Sequence, residues 1–214
     1  MSKIKFINPL FDTNYFKELF LTKINPVLET DLGDVINNMI VINLYNRVQG
    51  VHETQSTSNF EWTPQYSFMN ETVYTAVSHV NEVGKIMPGP GNKSIQILSI
   101  DLMDTAHKEK YYDICINRNF MYLWFSVHKG PHELPTHVDG NSPIRYVQCI
   151  FKNSVHNDWW YNGNNLILNE GDAFIFDPKF PHNIITKKTC ESIFLIADCP
   201  EYTIDEFLSN SITN

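Results

Sequence analysis

The sequence predicts a mainly β chain: a double-stranded β-helix, or cupin-like jelly roll, with flanking N-terminal helices. Two observations carry that expectation. From Ile95 onward the residues fall into short β-branched and aromatic runs bounded by Gly, Pro, Asn or Asp, the pattern of many evenly spaced strands. Helical spacing of apolar residues occurs only before them.

The first element is a helix from Phe11 to Lys23. It spaces Phe16, Leu19, Phe20 and Lys23 at helical intervals and has Asp12 as its N-cap. A second helix is expected from Glu71 to Val83, with Asn70 as cap, Val73, Ala76, Val77 and Val80 as its apolar face, and Gly84 as its stop. Met87-Pro-Gly-Pro-Gly-Asn92 reads as a loop and as a sub-boundary within one domain spanning 1–214. It separates a helical or mixed flank, 1–94, from a β-helix core, 95–200. Strands are expected at Ile95–Leu102, Phe120–Val127, Ile144–Phe151, Asn165–Leu168, Ala173–Phe176 and Ser192–Asp198. Tyr161-Asn-Gly-Asn-Asn165 contains the Asn-Gly pair of a tight hairpin, and Asn169-Glu-Gly-Asp172 is a second turn.

Composition narrows the function classes. A hydrophobic share of 43% and a charged share of 19% over 214 residues suit a globular chain with a substantial core. The net charge of −8 and the lack of a basic stripe argue against nucleic acid as a partner. No run approaches the roughly 20 apolar residues of a membrane span. Residues 1–16 lack a signal-peptide h-region, so cytoplasm is the expected compartment. Cys115, Cys149, Cys190 and Cys199 form no C-x-x-C pair and read as scattered core thiols. Oligomeric state is not legible.

Chemistry concentrates in His137-Val-Asp139 and in His182. Residues two apart on an extended strand share a face, so His137 and Asp139 can converge on one ion, with His182 arriving from a facing strand. Two imidazoles and a carboxylate on one face of a metal leave positions open for a bidentate oxo acid and O₂; the donor set suits non-haem Fe(II), with Mn, Co, Ni or Zn as alternatives. An H-x-D pair alone is weak, because such pairs occur by chance. Here the Gly- and Pro-rich run 130–135 precedes it and Gly140 follows. A turn, an apolar strand and a bend over 171–181 deliver His182. Asp177 reads as a turn residue before Pro178. His128 and His132 read as loop residues near the substrate mouth. Trp159, Trp160 and Tyr161 read as hairpin packing, with a pocket wall as the alternative, and Trp124 reads as core.

Over roughly Tyr122 to Pro200 the chain resembles the aspartyl/asparaginyl β-hydroxylase family of Fe(II)/2-oxoglutarate-dependent oxygenases. The resemblance rests on Ser126 eleven residues before His137, on Arg145, and on Gly171-Asp-Ala-Phe-Ile-Phe-Asp-Pro-Lys-Phe-Pro-His182. It ends in a closing strand with Asp198 and Pro200. It implies a dioxygenase that hydroxylates an amino-acid or peptidyl Asp- or Asn-like substrate with Fe(II), 2-oxoglutarate and O₂. The metal ligands, which are also the catalytic residues, would be His137, Asp139 and His182. Ser126 and Arg145 would contact the co-substrate. The family has an arginine ten residues after the distal histidine, where this chain has Ser192. Either Arg145 carries the charge for the far carboxylate alone, or Lys187 or Lys188 reaches in, or the co-substrate differs. Two other readings stay open: a cupin-type metalloenzyme without 2-oxoglutarate, and a non-enzymatic jelly-roll binding module.

Overall fold

Alternation along the C-terminal strands sorts their side chains between two cores. The computed structural model describes residues 4–25, 38–46, 61–68, 71–77, 87–88, 95–98, 104–120, 122–139, 144–153, 157–186, 190–199 and 202–209. The N-terminal elements are β1 (Ile4–Ile7), α1 (Thr13–Leu19), β2 (Asn38–Asn46), β3 (Glu61–Phe68), β4 (Glu71–Val77), β5 (Met87–Pro88), β6 (Ile95–Leu98) and α2 (Thr105–Asn117). Next come β7 (Tyr122–Lys129), β8 (His132–His137), β9 (Ile144–Lys152) and β10 (Asn157–Tyr161). The chain closes with β11 (Asn164–Leu166), β12 (Ala173–Phe176), β13 (His182–Thr186), β14 (Glu191–Cys199) and α3 (Ile204–Ser209).

Strands β7 to β14 pair as one long folded hairpin. β7 pairs with β14, β8 with β13, β9 with β12 and β10 with β11, all antiparallel. Successive strands alternate between two sheets except at the tip, so the hairpin winds into a double-stranded β-helix. The tip is Asn162-Gly163, with φ of 47° and 78°, the backbone that a two-residue hairpin needs and that Gly and Asn tolerate. The large sheet runs β1-β12-β9-β14-β7-β2-β6-β5, the small one β11-β10-β13-β8, and β3 and β4 form a separate pair.

In β12, Ala173 and Ile175 join one apolar cluster while Phe174 and Phe176 join the other. The first cluster packs Phe16, Leu19, Tyr111, Cys115 and Phe207 of the helices against the outer face of the large sheet. The second lies between the sheets around Trp159, Phe174 and Phe194. With both faces covered, a large-sheet strand such as Ile193–Ala197 reads as an unbroken apolar run rather than an alternating one. All four cysteines are free and buried. Among the described residues, no helix is long and apolar enough to cross a membrane.

The first helix forms where its spacing predicts. The Asp12 side chain accepts from the Tyr15 amide at 3.1 Å, and the helix continues beyond Leu19 as a π turn over Phe20–Ile24. A buried amide on the sheet fixes its entry. Gln148 donates to the Phe11 carbonyl and to the Thr13 hydroxyl, both at 2.9 Å, and accepts from the Phe11 amide at 3.3 Å. Gln148→Leu is therefore expected to leave these groups buried without partners, at about 2–3 kcal/mol. Urea denaturation checks this, and an unchanged midpoint would show that the amide merely fills space.

The structure differs from these expectations at several places. The segment expected as a helix from Glu71 to Val83 is strand β4 over Glu71–Val77, paired with β3, and residues 78–83 lie outside the description. Thr72, Val73, Thr75 and Val77 are β-branched, and their stiff side chains favour extended backbone over the helical apolar face. Within the flank 1–94, expected as helical or mixed, β1 and β2 are strands of the large sheet, and β2 lies between β7 and β6. Finally, α2 has no counterpart in the sequence reading. Asp104 caps it, and Tyr111 and Cys115 are buried in the core with Tyr112 and Ile114 packed against it, all in its C-terminal half. Of the loop expected over Met87–Asn92, Met87–Pro88 forms a short strand and 89–92 lie outside the description.

Candidate metal centre

Strand β8 ends at His137, and strand β13 begins at His182. The two strands are neighbours, and their register sets His182 opposite His137. The second imidazole thus comes from β13, the strand paired with β8 in the same sheet. Asp139 follows β8 by two residues. Its amide donates to the Pro178 carbonyl at 2.8 Å, tying it to the bend that delivers His182.

One ligand atom from each of His137, Asp139 and His182 lies within 4.8 Å of the others. His137 Nε2 is 3.8 Å from Asp139 Oδ1, and His182 Nε2 is 3.5 Å from Asp139 Oδ2. Metal–ligand bonds of about 2.1 Å place neighbouring donor atoms roughly 3–3.5 Å apart, so this spacing accommodates one ion with little adjustment. His182 is prepared for it. Its Nδ1 donates to the Phe180 carbonyl at 2.9 Å, so Nε2 is the atom through which the neutral ring would bind a metal. That Nε2 is buried and has no hydrogen-bond partner among the described residues. Phe176 packs against the ring at 5.0 Å, and Trp159 lies parallel to it, with centroids 6.5 Å apart.

Arg145 is committed to carboxylates. It donates through Nε and Nη2 to Asp198, at 2.7 and 3.2 Å, and through Nη1 to Asp139 Oδ2. Its guanidinium sits 5.5 Å from the Trp124 ring centre. Burial opposes the charge on Asp139. The approach of the His182 ring and the positive charge of Arg145 outweigh it, with smaller contributions from His137, and hold the carboxyl well below the usual carboxylate range. Arg145 thus fixes and ionises a candidate ligand, and three of its donors are already spent.

The other predicted site residues fall elsewhere. Ser126 is buried in β7, with its hydroxyl 2.7 Å from His128 Nε2. Ser192 is fully buried in β14, across from His128. His128, expected in a loop, is a fully buried strand residue, and its spacing two residues after Ser126 carries that signal. His132 opens β8, but its side chain lies outside the description, as do Lys187 and Lys188. Asp177 serves a turn, accepting from the Lys179 amide at 3.0 Å. The Phe180 carbonyl and the Trp159 ring are contacts of His182 that residue type alone did not reveal.

No family model matches the chain, and no curated protein matches it. Solved structures similar to it include a salicylate 1,2-dioxygenase from Pseudaminobacter salicylatoxidans. That pair is 19% identical over 44% of this chain and 24% of the other, with a TM-score of 0.31. A predicted oxalate decarboxylase from Thermotoga maritima is 11% identical over 41% of this chain and 73% of its own, with a TM-score of 0.32. The TT1209 protein from Thermus thermophilus is 13% identical over 38% and 74%, also with a TM-score of 0.32. The chain spans about a quarter of the dioxygenase's length. Likeness this low assigns no activity; the strand pairings define the jelly roll without it.

Proposed function

We propose that the chain is a non-haem iron(II) oxygenase that uses 2-oxoglutarate and hydroxylates an amino acid or a peptidyl Asp- or Asn-like side chain. One observation supports this reading above the rest: His137, Asp139 and His182 meet at one end of the small sheet, with the buried His182 Nε2 turned toward Asp139 and without a hydrogen-bond partner among the described residues. Fe(II) bound there would couple conversion of 2-oxoglutarate to succinate and CO₂ with insertion of one O₂ oxygen atom into a substrate C–H bond.

The chain's own part is geometric and electrostatic. His137, Asp139 and His182 would occupy one face of the ion and leave the opposite face to the oxo acid and O₂. Asp139 stays ionised and supplies the negative charge that a divalent cation needs. The Phe180 carbonyl keeps His182 in the tautomer that presents Nε2. Trp159 and Phe176 exclude water behind that imidazole.

Anaerobic addition of Fe(II) and then 2-oxoglutarate is expected to give a visible metal-to-ligand absorption band, and admission of air is expected to release succinate. Metal binding with neither signal would favour a second reading, a metalloenzyme with the same ligands and another co-substrate. The commitment of Arg145 to Asp139 and Asp198, with an uncharged serine at 192, gives that reading its support. A screen of other 2-oxo acids separates the two.

A further inference from the structure

A second carboxylate stands near the triad. Asp198 on β14 is the cross-strand partner of Arg145 on β9, and both side chains are largely buried. Arg145 Nε donates to Asp198 Oδ1 at 2.7 Å and Nη2 donates to Oδ2 at 3.2 Å. This two-point fork fixes both the place and the plane of the guanidinium. The ring of Trp124 on β7 lies 5.5 Å from it. With that edge held, Nη1 reaches Asp139 Oδ2. The chain Asp198–Arg145–Asp139 thus runs from the large sheet to the end of β8 that carries the candidate ligands.

Attraction between Arg145 and Asp139 alone would give a different arrangement. A guanidinium facing one carboxylate tends to close a fork over both of its oxygens. The oxygens of Asp139 face the imidazoles, Oδ1 at 3.8 Å from His137 Nε2 and Oδ2 at 3.5 Å from His182 Nε2. A fork there would set a fixed positive charge against the oxygens that a cation needs. Asp198 takes the Nε and Nη2 edge instead, so Asp139 meets the Nη1 end. Charge points the same way. Two carboxylates against one guanidinium leave a net negative charge for a divalent ion, whereas an Asp139–Arg145 pair by itself would leave none.

We propose that Asp198 is a positioning residue of the metal centre. By forking Arg145 it holds the guanidinium at one oxygen of Asp139, which orients that carboxylate toward the two imidazoles and keeps it open to a cation. This rests on the metal reading above and is independent of the co-substrate. It assigns Arg145 to the ligand carboxylate rather than to an oxo acid.

Titration with Mn(II), followed by the electron paramagnetic resonance of the free ion, and the visible spectrum of the Co(II)-loaded protein test it. Urea denaturation of the metal-free proteins shows which variants are folded. In Asp198→Asn an amide nitrogen replaces one acceptor, so the fork is lost. Mn(II) affinity should fall by about 10- to 100-fold, the usual loss for an outer-shell partner, and the Co(II) bands should shift. Asp198→Glu keeps the charge and displaces the fork by a methylene. It should also shift the Co(II) bands and weaken Mn(II), by less than Asp198→Asn. If Asp198 served the fold alone, Asp198→Asn would lower the urea midpoint and leave both metal readouts at wild-type values, and that result overturns the proposal. Asp198→Glu equal to wild type in both readouts would mean that charge matters and placement does not, which overturns it as well. Should Asp198→Asn fail to fold, Asp198→Glu decides by the same criterion. Wild-type protein that binds neither ion removes the metal reading, and the role of Asp198 with it.

Discussion

His182→Ala is expected to abolish metal binding at concentrations that saturate the wild type. The imidazole is one of three candidate donors, and its Nε2 is the one already held without a competing hydrogen bond among the described residues. Loss of an outer-shell partner costs about 10–100-fold in metal affinity, so loss of a ligand should cost more. Linkage makes the effect measurable as stability. Metal at 100 times its dissociation constant stabilises the native state by about 2.7 kcal/mol, and a 1,000-fold weaker site loses nearly all of that. Thermal melting with and without Co(II) or Mn(II) should show a metal-dependent rise for the wild type and none for the variant. The metal-free proteins should differ by on the order of 1 kcal/mol from the space the ring leaves beside Phe176 and Trp159. An undiminished metal-induced rise in the variant would remove His182 from the centre.

The parts of this molecule that are legible from sequence are those that local chemistry decides. Asn162-Gly163 reads as a hairpin tip because few residues accept its backbone, and that turn proves to be the tip of the whole wound hairpin. Ala173–Phe176 appears with the bounds expected, because a four-residue apolar run between turns has one good solution in a buried sheet. The pairing of His137 with Asp139 follows from a period of two. What the period cannot supply is the partner strand: the sequence asks only that His182 arrive from a facing strand, and the register identifies that strand as β13, paired with β8. The same limit applies to β4. Its apolar residues satisfy a helical face and an extended run alike, and the choice is made by β3, ten residues upstream at its start. The roles of Arg145 and His128 depend on which carboxylate or hydroxyl ends up within reach, which only the register of β9 on β14 and the extended backbone of β7 decide.

Arg145→Leu should cost more stability than either Gln148→Leu or His182→Ala. Arg145 lies between two carboxylates, Asp139 and Asp198, and all three side chains are largely buried, at 17%, 22% and 16% exposure. Removing the guanidinium leaves two like charges in a medium that solvates them poorly, and on the order of 3–4 kcal/mol is expected at neutral pH. The pH dependence of the metal-free protein identifies the cause. In the wild type the Asp139 carboxyl is held below its ordinary value, so its contribution is present above the unfolded-state value near about 4 and is lost only on strong acidification. In the variant the desolvation that opposes ionisation loses one of its counterweights while the imidazoles remain, the carboxyl moves upward, and the penalty is relieved as pH falls. The stability gap between wild type and variant, measured by urea denaturation, should therefore be widest at pH 7 and narrow toward pH 4. Arg145→Lys keeps the charge but cannot span both carboxylates with a planar fork, so it should fall between the two. A gap that stays constant with pH would mean that Arg145 contributes packing against Trp124 rather than charge, and its proposed hold on Asp139 would then be wrong.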